Sequence, residues 1–347
     1  MQTSFVHRWG MPVIALICLV LIFFILNREF PNFTIDMTFL QNFKTIFLSI
    51  ILEAIPFVLL GVLVAALLQI FVSEETVRRF VPKHPLLGIL FGCFLGVLFP
   101  LCECGMIPIV RRLILKGMPV YVGVVYIIAG PILNPVVFSS TYMAFRSHPE
   151  VAYGRMGLAL IVSIVIGLIL YRFVKSNPLR QTIAHNTVQQ VEVHDHSHSH
   201  VHNHDHHHNP PTRNKSFTAL GHASDEFFEM GKYLIFGAMI TALIQTMMNR
   251  DVLVSIGDGA FSSHLFMMGL AYIMSLCSTS DAFVASSFWT TFSAGSLLTF
   301  LVYGPMLDFK NTLMLLAVFR AKFVFLLIGL ISVVVLAGSL LYSNIFL

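Results

Sequence analysis

Charge is what this chain has least of. Only 11% of its 347 residues are Asp, Glu, Lys or Arg, against a hydrophobic content of 56% and a mean hydropathy of +0.82. Soluble domains carry about 25% charged residues, so a water-soluble surface is excluded. Intrinsic disorder is excluded as well, because it needs few apolar residues. The basic residues sit at the ends of apolar runs, so the net charge of +4 is not a nucleic-acid footprint. Cysteine is scarce, five in all, and Cys18 and Cys93 lie in plain apolar runs. No disulfide framework is indicated. The chain also lacks a Gly-rich Lys-Ser/Thr phosphate loop, a His-Glu-x-x-His pair and a Gly-x-Ser-x-Gly elbow. Nucleotide-driven pumping and two common hydrolase chemistries therefore have no motif to rest on.

What is present is apolar runs. Nine occur, at 11–26, 43–72, 86–110, 118–145, 156–174, 227–248, 265–289, 295–319 and 323–342. A membrane helix needs about 20 such residues. The first run is short, follows Arg8 and is followed by Asn27-Arg28-Glu29, so it reads as a retained span. The fold class is thus an all-α polytopic protein of the cell membrane with about seven to nine membrane segments. Its solvent is the lipid bilayer, and no nucleic acid is a partner.

Lys and Arg accumulate on the cytoplasmic side of membrane proteins. Nine full crossings would put Arg78-Arg79-Lys83 and Arg111-Arg112-Lys116 on opposite sides. If 86–110 and 265–289 enter and return, both clusters fall on the side of the long polar linker. The amino terminus and linker are then cytoplasmic, and only Arg28, Lys44, Arg146, Arg155 and Arg250 are outside. Both topologies satisfy the run lengths.

The two halves resemble each other. Glu53, Gly61, Ala66, Leu67 and Gln69 match Glu229, Gly237, Ala242, Leu243 and Gln245. Leu101-Cys102 matches Leu276-Cys277, and Gly130-Pro131-Ile132-Leu133-Asn134 matches Gly304-Pro305-Met306-Leu307-Asp308. In the hairpin topology the repeats are inverted, an arrangement typical of secondary transporters with a site at the repeat interface. The organisation read from this is an amino-terminal span (1–39), a first membrane repeat (40–174), a linker (175–226) and a second repeat (227–347).

Ionisable and irregular segments at membrane depth are expensive and mark cavities or function. The first half carries Pro100-Leu101-Cys102-Glu103-Cys104-Gly105, and the second carries Cys277-Ser278-Thr279-Ser280-Asp281 at the matching place. Each half then has a Gly-Pro break, with Pro131 and Asn134 in one, Asp308 and Lys310 in the other. Polar tips converging near the midplane would form a substrate site of Cys102, Glu103, Cys104, Pro131, Asn134, Cys277, Ser278, Asp281, Asp308 and Lys310. Asp308 with Lys310 is a candidate internal pair, and Asp281 a candidate carrier of a coupling proton. Thiolates suit soft or borderline species such as Cu(I), Zn(II) or trivalent arsenic.

The linker holds a low-complexity tract in which His194, His196, His198, His200, His202, His204, His206, His207 and His208 are interleaved with Asp, Ser, Asn and Val. Neutral imidazoles bind Zn(II) and other transition metals, so the tract is a candidate metal-binding loop. No tightly bound cofactor is indicated.

Pro100 to Gly105, followed by Gly130-Pro131-Ile132-Leu133-Asn134-Pro135, resembles a family of bacterial permeases that includes exporters of trivalent organoarsenicals. The second-half Cys277 to Phe283 fits too, and the resemblance runs over roughly residues 40–345. It implies a multi-pass permease with a cytosolic central loop, Cys102 and Cys104 as the thiol site, and a second small membrane protein as partner subunit. The histidine tract pulls instead towards a divalent cation. A permease moving a small inorganic or organometalloid species is the leading reading, not an enzyme. A metal sensor or subunit without transport of its own, and a membrane-embedded enzyme using Cys, Ser, Asp and Lys, are the alternatives.

Overall fold

The computed structural model describes residues 37–82, 84–99, 101–174, 178–180, 215–247 and 260–346. The expected span at 11–26 and the histidine tract lie outside these. Of the described residues, those from Thr45 onward belong to one compact unit, which holds the helical bundle. The described residues form helices, with one isolated bridge between Leu179 and Phe319. In chain order the helices are α1 (Met37–Phe71), α2 (Glu74–Phe80), α3 (Pro85–Leu98), α4 (Glu103–Leu115), α5 (Val120–Ala129), α6 (Pro135–Ala144) and α7 (Glu150–Phe173). After the linker come α8 (Lys215–Met247), α9 (Ala260–Met274), α10 (Asp281–Ser286), α11 (Ala294–Met306), α12 (Phe309–Val318) and α13 (Ala321–Phe346).

Four of them, α1, α7, α8 and α13, contain stretches long and apolar enough to cross a membrane alone. The others are shorter because their apolar runs are interrupted. The run at 86–110 stops at Phe99, before Pro100, and restarts with Cys102 as the N-cap of α4. A residue preceding proline is steered out of the helical region. The run at 118–145 breaks between α5 and α6. There Asn134 is the N-cap, its side-chain oxygen accepting from the Val137 amide at 2.9 Å, and Pro135 opens the helix. A capping Asn followed by Pro at the first helical position is a strong helix start. Asp308 caps α12 in the same way, accepting from the Asn311 amide at 2.5 Å. The all-helical, multi-pass architecture expected from the sequence is therefore present.

Contacts between helix ends show which segments return. The Lys116 ammonium, just past α4, donates to the carbonyl oxygens of Leu68, Gln69 and Val72 at the end of α1. This places a cation on orphan carbonyls at a helix C-terminus. It also puts the basic turn after α4 at the same end as the chain entering α3. The α3–α4 pair thus goes in and comes back. The same end holds Arg112 against Glu226 near the start of the apolar part of α8. Residues 178–180 join it through Arg180 N to Val318 O (2.8 Å) and Arg320 N to Pro178 O (2.9 Å). We call this the linker end.

At the far end, His264 in α9 bonds Thr299 in α11 and Ser339 in α13, and Phe266 stacks on Phe292. The segment from α9 through α10 to residue 292 therefore leaves and returns to the far end. The broken pair α5–α6 runs from the linker end to the far end, and α11–α12 runs back. The order long helix, hairpin, broken pair, long helix occurs in both halves, and all three sequence matches fall at corresponding elements.

One close approach fixes the first hairpin. A Cβ on Gly61 of α1 would stand 2.2 Å from the Gly105 carbonyl oxygen, and one on Gly105 2.7 Å from that of Phe57. Small residues let membrane helices pack backbone to backbone. The matching Gly237 of α8 faces the Cα of Lys310 in α12 less closely, at 3.3 Å from an added Cβ.

Candidate functional site

The two hairpin tips meet in one cavity. It is lined by Cys102, Glu103 and Cys104 from the first tip and by Ser275 and Cys277 from the second. Lys310 of α12 and Ile50, Glu53, Ala54 and Phe57 of α1 complete it. Its free space is about 20 Å³, room for roughly one water molecule. Glu53 stands near the middle of the apolar stretch Met37–Gln69, and it is exposed.

Local backbone presents these groups. Glu103 and Cys104 occupy the first turn of α4 and are 2% exposed each. Cys102, the N-cap of α4, and Cys104 both line the cavity. Glu103 Oε1 is buried with no hydrogen-bond partner among the described residues. At the second tip, Ser275 sits at φ 45°, in the left-handed region, and the Lys310 amide approaches its hydroxyl at 3.5 Å. A non-glycine residue held there is strained, and such strain clusters at functional sites. Cys277 Sγ lies 3.5 Å from Thr279 Oγ1.

Lys310 and Asp308 form an ion pair at 3.8 Å, buried in the bundle. Both Lys310 and Asp308 lie in the electrostatic neighbourhood of Glu103. The cavity thus offers three thiols, two carboxylates and one ammonium in a low-dielectric surround. Among the described residues, no three His, Cys, Asp or Glu side chains are gathered tightly enough to hold a metal ion.

The remaining expected site residues lie elsewhere. Pro131 is buried, and its carbonyl accepts from the Asn134 side-chain amide at 3.3 Å, so both belong to the α5–α6 break rather than to the cavity lining. Ser278 and Asp281 face Arg155 of α7. The guanidinium donates to Asp281 Oδ2 at 2.8 Å, to the Ser278 carbonyl at 3.1 Å and to Thr141 Oγ1 at 2.8 Å. Arg155 is 0% exposed, so it is not the flanking surface charge that residue counting makes it. Sequence reasoning missed its role because it lies one residue before an apolar run and reads as an end anchor. It also missed Ser275 and the cavity position of Glu53, which entered only as a matched position of the repeat.

A second ionic cluster lies at the linker end. Arg112 donates two bonds to Glu226 Oε2, at 3.1 and 2.7 Å, and Arg111 stands 3.7 Å from Glu226 and 3.6 Å from Glu229. Glu226 is 5% exposed. This cluster ties the outgoing arm of the first hairpin to α8.

Residues 39–344 match the family model described as "Predicted permease". The chain is 50% identical over 311 residues to the UPF0718 protein YcgR of Bacillus subtilis (strain 168), covering 90% of this chain and all of that protein. It is 36% identical over 296 residues to a Streptococcus mutans protein named "Putative two-component membrane permease complex subunit", covering 85% of this chain and 93% of that protein. No solved structure matches.

Proposed function

This chain belongs to the predicted-permease family, and on that footing we propose that it carries a soft metal or metalloid species across the cell membrane by alternating access. The observation that carries this reading is the cavity where Cys102 and Cys104 from one hairpin face Cys277 from the other. Thiols from both halves around one small space suit a thiophilic cargo, and soft sulfur ligands select such species. Binding draws the thiols together around the cargo, with Glu103, Glu53 and Lys310 balancing charge. We read the two halves as inverted repeats, because the first hairpin opens to the linker end and the second to the far end. The cargo site then lies at the repeat interface. The linker end is cytoplasmic in this reading, because basic residues concentrate there. The histidine tract is read as a binder of divalent cations.

A second reading is a subunit whose transport needs a partner membrane protein. It draws on the name of the Streptococcus relative, a subunit of a two-component permease complex.

The test is growth of cells lacking or overproducing the protein across zinc, copper, cobalt, nickel, arsenite and methylated arsenite, with cell-associated metal or arsenic quantified. The expected result is accumulation of one species on deletion, restored by the native chain and not by the Cys102→Ser, Cys104→Ser double variant. No change in any species on deletion would overturn the soft-cargo reading. A change seen only when a neighbouring membrane protein is co-expressed would favour the subunit reading.

A further inference from the structure

Two ionic ties join the halves of the chain, and they lie on opposite sides of the cavity. The first links Arg111 and Arg112 of α4 to Glu226 and Glu229 of α8. On α4 it lies eight or nine residues beyond Glu103, about 13 Å towards the linker end. The second links Arg155 of α7 to Asp281, just past the second hairpin tip. On α7 it lies five residues from the far-end start of the helix, about 7 Å along it. In each tie the first half supplies the arginine and the second half the carboxylate. In each, the tie holds one arm of a re-entrant hairpin against a long helix of the opposite half.

We propose that these ties are the two gates of the cavity: Arg112–Glu226 closes it towards the linker end and Arg155–Asp281 towards the far end. This rests on the alternating-access reading above. In the structure both ties are made, and the free space between the two tips is of water size. Moving one half against the other to open either mouth must separate an arginine from its carboxylate on that side alone. The chemistry of each tie fits its place. The far-end pair is fully buried, and Asp281 Oδ1 and Arg155 Nε have no hydrogen-bond partner among the described residues. Groups left partly unsatisfied are poised to gain water when that mouth opens. The linker-end cluster is partly exposed, with alternative carboxylates in reach of Arg111, so it re-forms readily after breaking.

The experiment reads which side the cavity thiols are reached from, and needs no cargo. Full-length protein with Cys18 and Cys93 changed to Ser keeps Cys102, Cys104 and Cys277 as targets. Right-side-out and inverted membrane vesicles are treated with a membrane-impermeant sulfonated maleimide. Asp281→Asn is expected to speed labelling roughly tenfold from the far-end side and leave the linker-end rate unchanged. The double variant Glu226→Gln, Glu229→Gln is expected to do the reverse. Because the linker-end cluster is partly exposed, that variant tests the proposal even where Asp281→Asn fails to reach the membrane. Equal acceleration from both sides, acceleration from the wrong side, or no change in either variant would overturn it. A failed metal panel with side-specific labelling would leave the gates standing and remove only the cargo assignment.

Discussion

Each hairpin tip carries a buried carboxylate, and the two are held differently. Glu103 at the first tip is buried on the cavity wall with Oε1 unpartnered, while Asp281 at the second pairs Oδ2 with Arg155 and leaves only Oδ1 unpartnered. Both are 2% exposed, so burial alone does not distinguish them. Partners do. A buried charge with a matched ion is a structural tie, and removing one partner strands the other. A buried carboxylate with a vacant lone pair on a cavity wall is available to something that enters. One tip thus carries an available group and the other a tied one.

This contrast can be broken by substitution, and the largest effect is expected at the tie. Arg155→Ala leaves Asp281 buried without its partner and is expected to cost about 3–5 kcal/mol. Thermal unfolding of the detergent-purified protein would show it as a large fall in Tm. A native-like Tm would mean that water already shields Asp281. Next in size is the glycine contact that seats the first hairpin. Gly61→Ala drives a Cβ into the Gly105 backbone, and about 1–3 kcal/mol of overpacking is expected. Gly157→Ala, where nothing lies within 4 Å, should instead be neutral or stabilising by up to about 1 kcal/mol. Equal Tm values for the two variants would remove the close crossing of α1 and α4. Loss of a cap is smaller. Asn134→Ala is expected to lose about 1 kcal/mol, and Asn134→Asp not to restore it, since the carboxylate keeps the cap but cannot donate to the Gly130 and Pro131 carbonyls. The smallest effect sharpens the comparison most. Glu103→Gln removes a buried charge with an unpartnered oxygen and is expected not to destabilise the protein, while cargo flux falls. A large destabilisation would make Glu103 a structural group like Asp281.

Much of this was legible in the residues. Pro100, Pro131 and Pro135 interrupt apolar runs that would otherwise span, and the structure breaks its helices there. The pairing of Asp308 with Lys310 follows from two opposite charges, two residues apart, at membrane depth. Cys102, Cys104 and Cys277 drew attention as thiols in broken apolar runs, and all three line one cavity. Other features were hidden for physical reasons. Arg155 carries the same side chain whether it anchors a helix end in water or reaches inward, and only the tertiary fold supplies Thr141, Ser278 and Asp281 to receive it. Asn134 and Asp308 drew attention as polar residues in apolar runs, yet in each the side chain caps a helix. The Asn134-Pro135 pair carried that signal. Ser275 has no motif at all, and its left-handed backbone is imposed by the tip.

The central claim is that the two hairpin tips meet around one thiol-lined cavity, and cross-linking tests it most directly. In the full-length chain, Cys18, Cys93 and Cys104 are changed to Ser, leaving Cys102 and Cys277, and a protease site is inserted in the linker between residues 181 and 214. Membranes are treated with a short bifunctional maleimide, then cleaved and run on a denaturing gel. Joined halves that separate when Cys277→Ser is added are the result the account predicts. Halves that separate regardless of the reagent would contradict it.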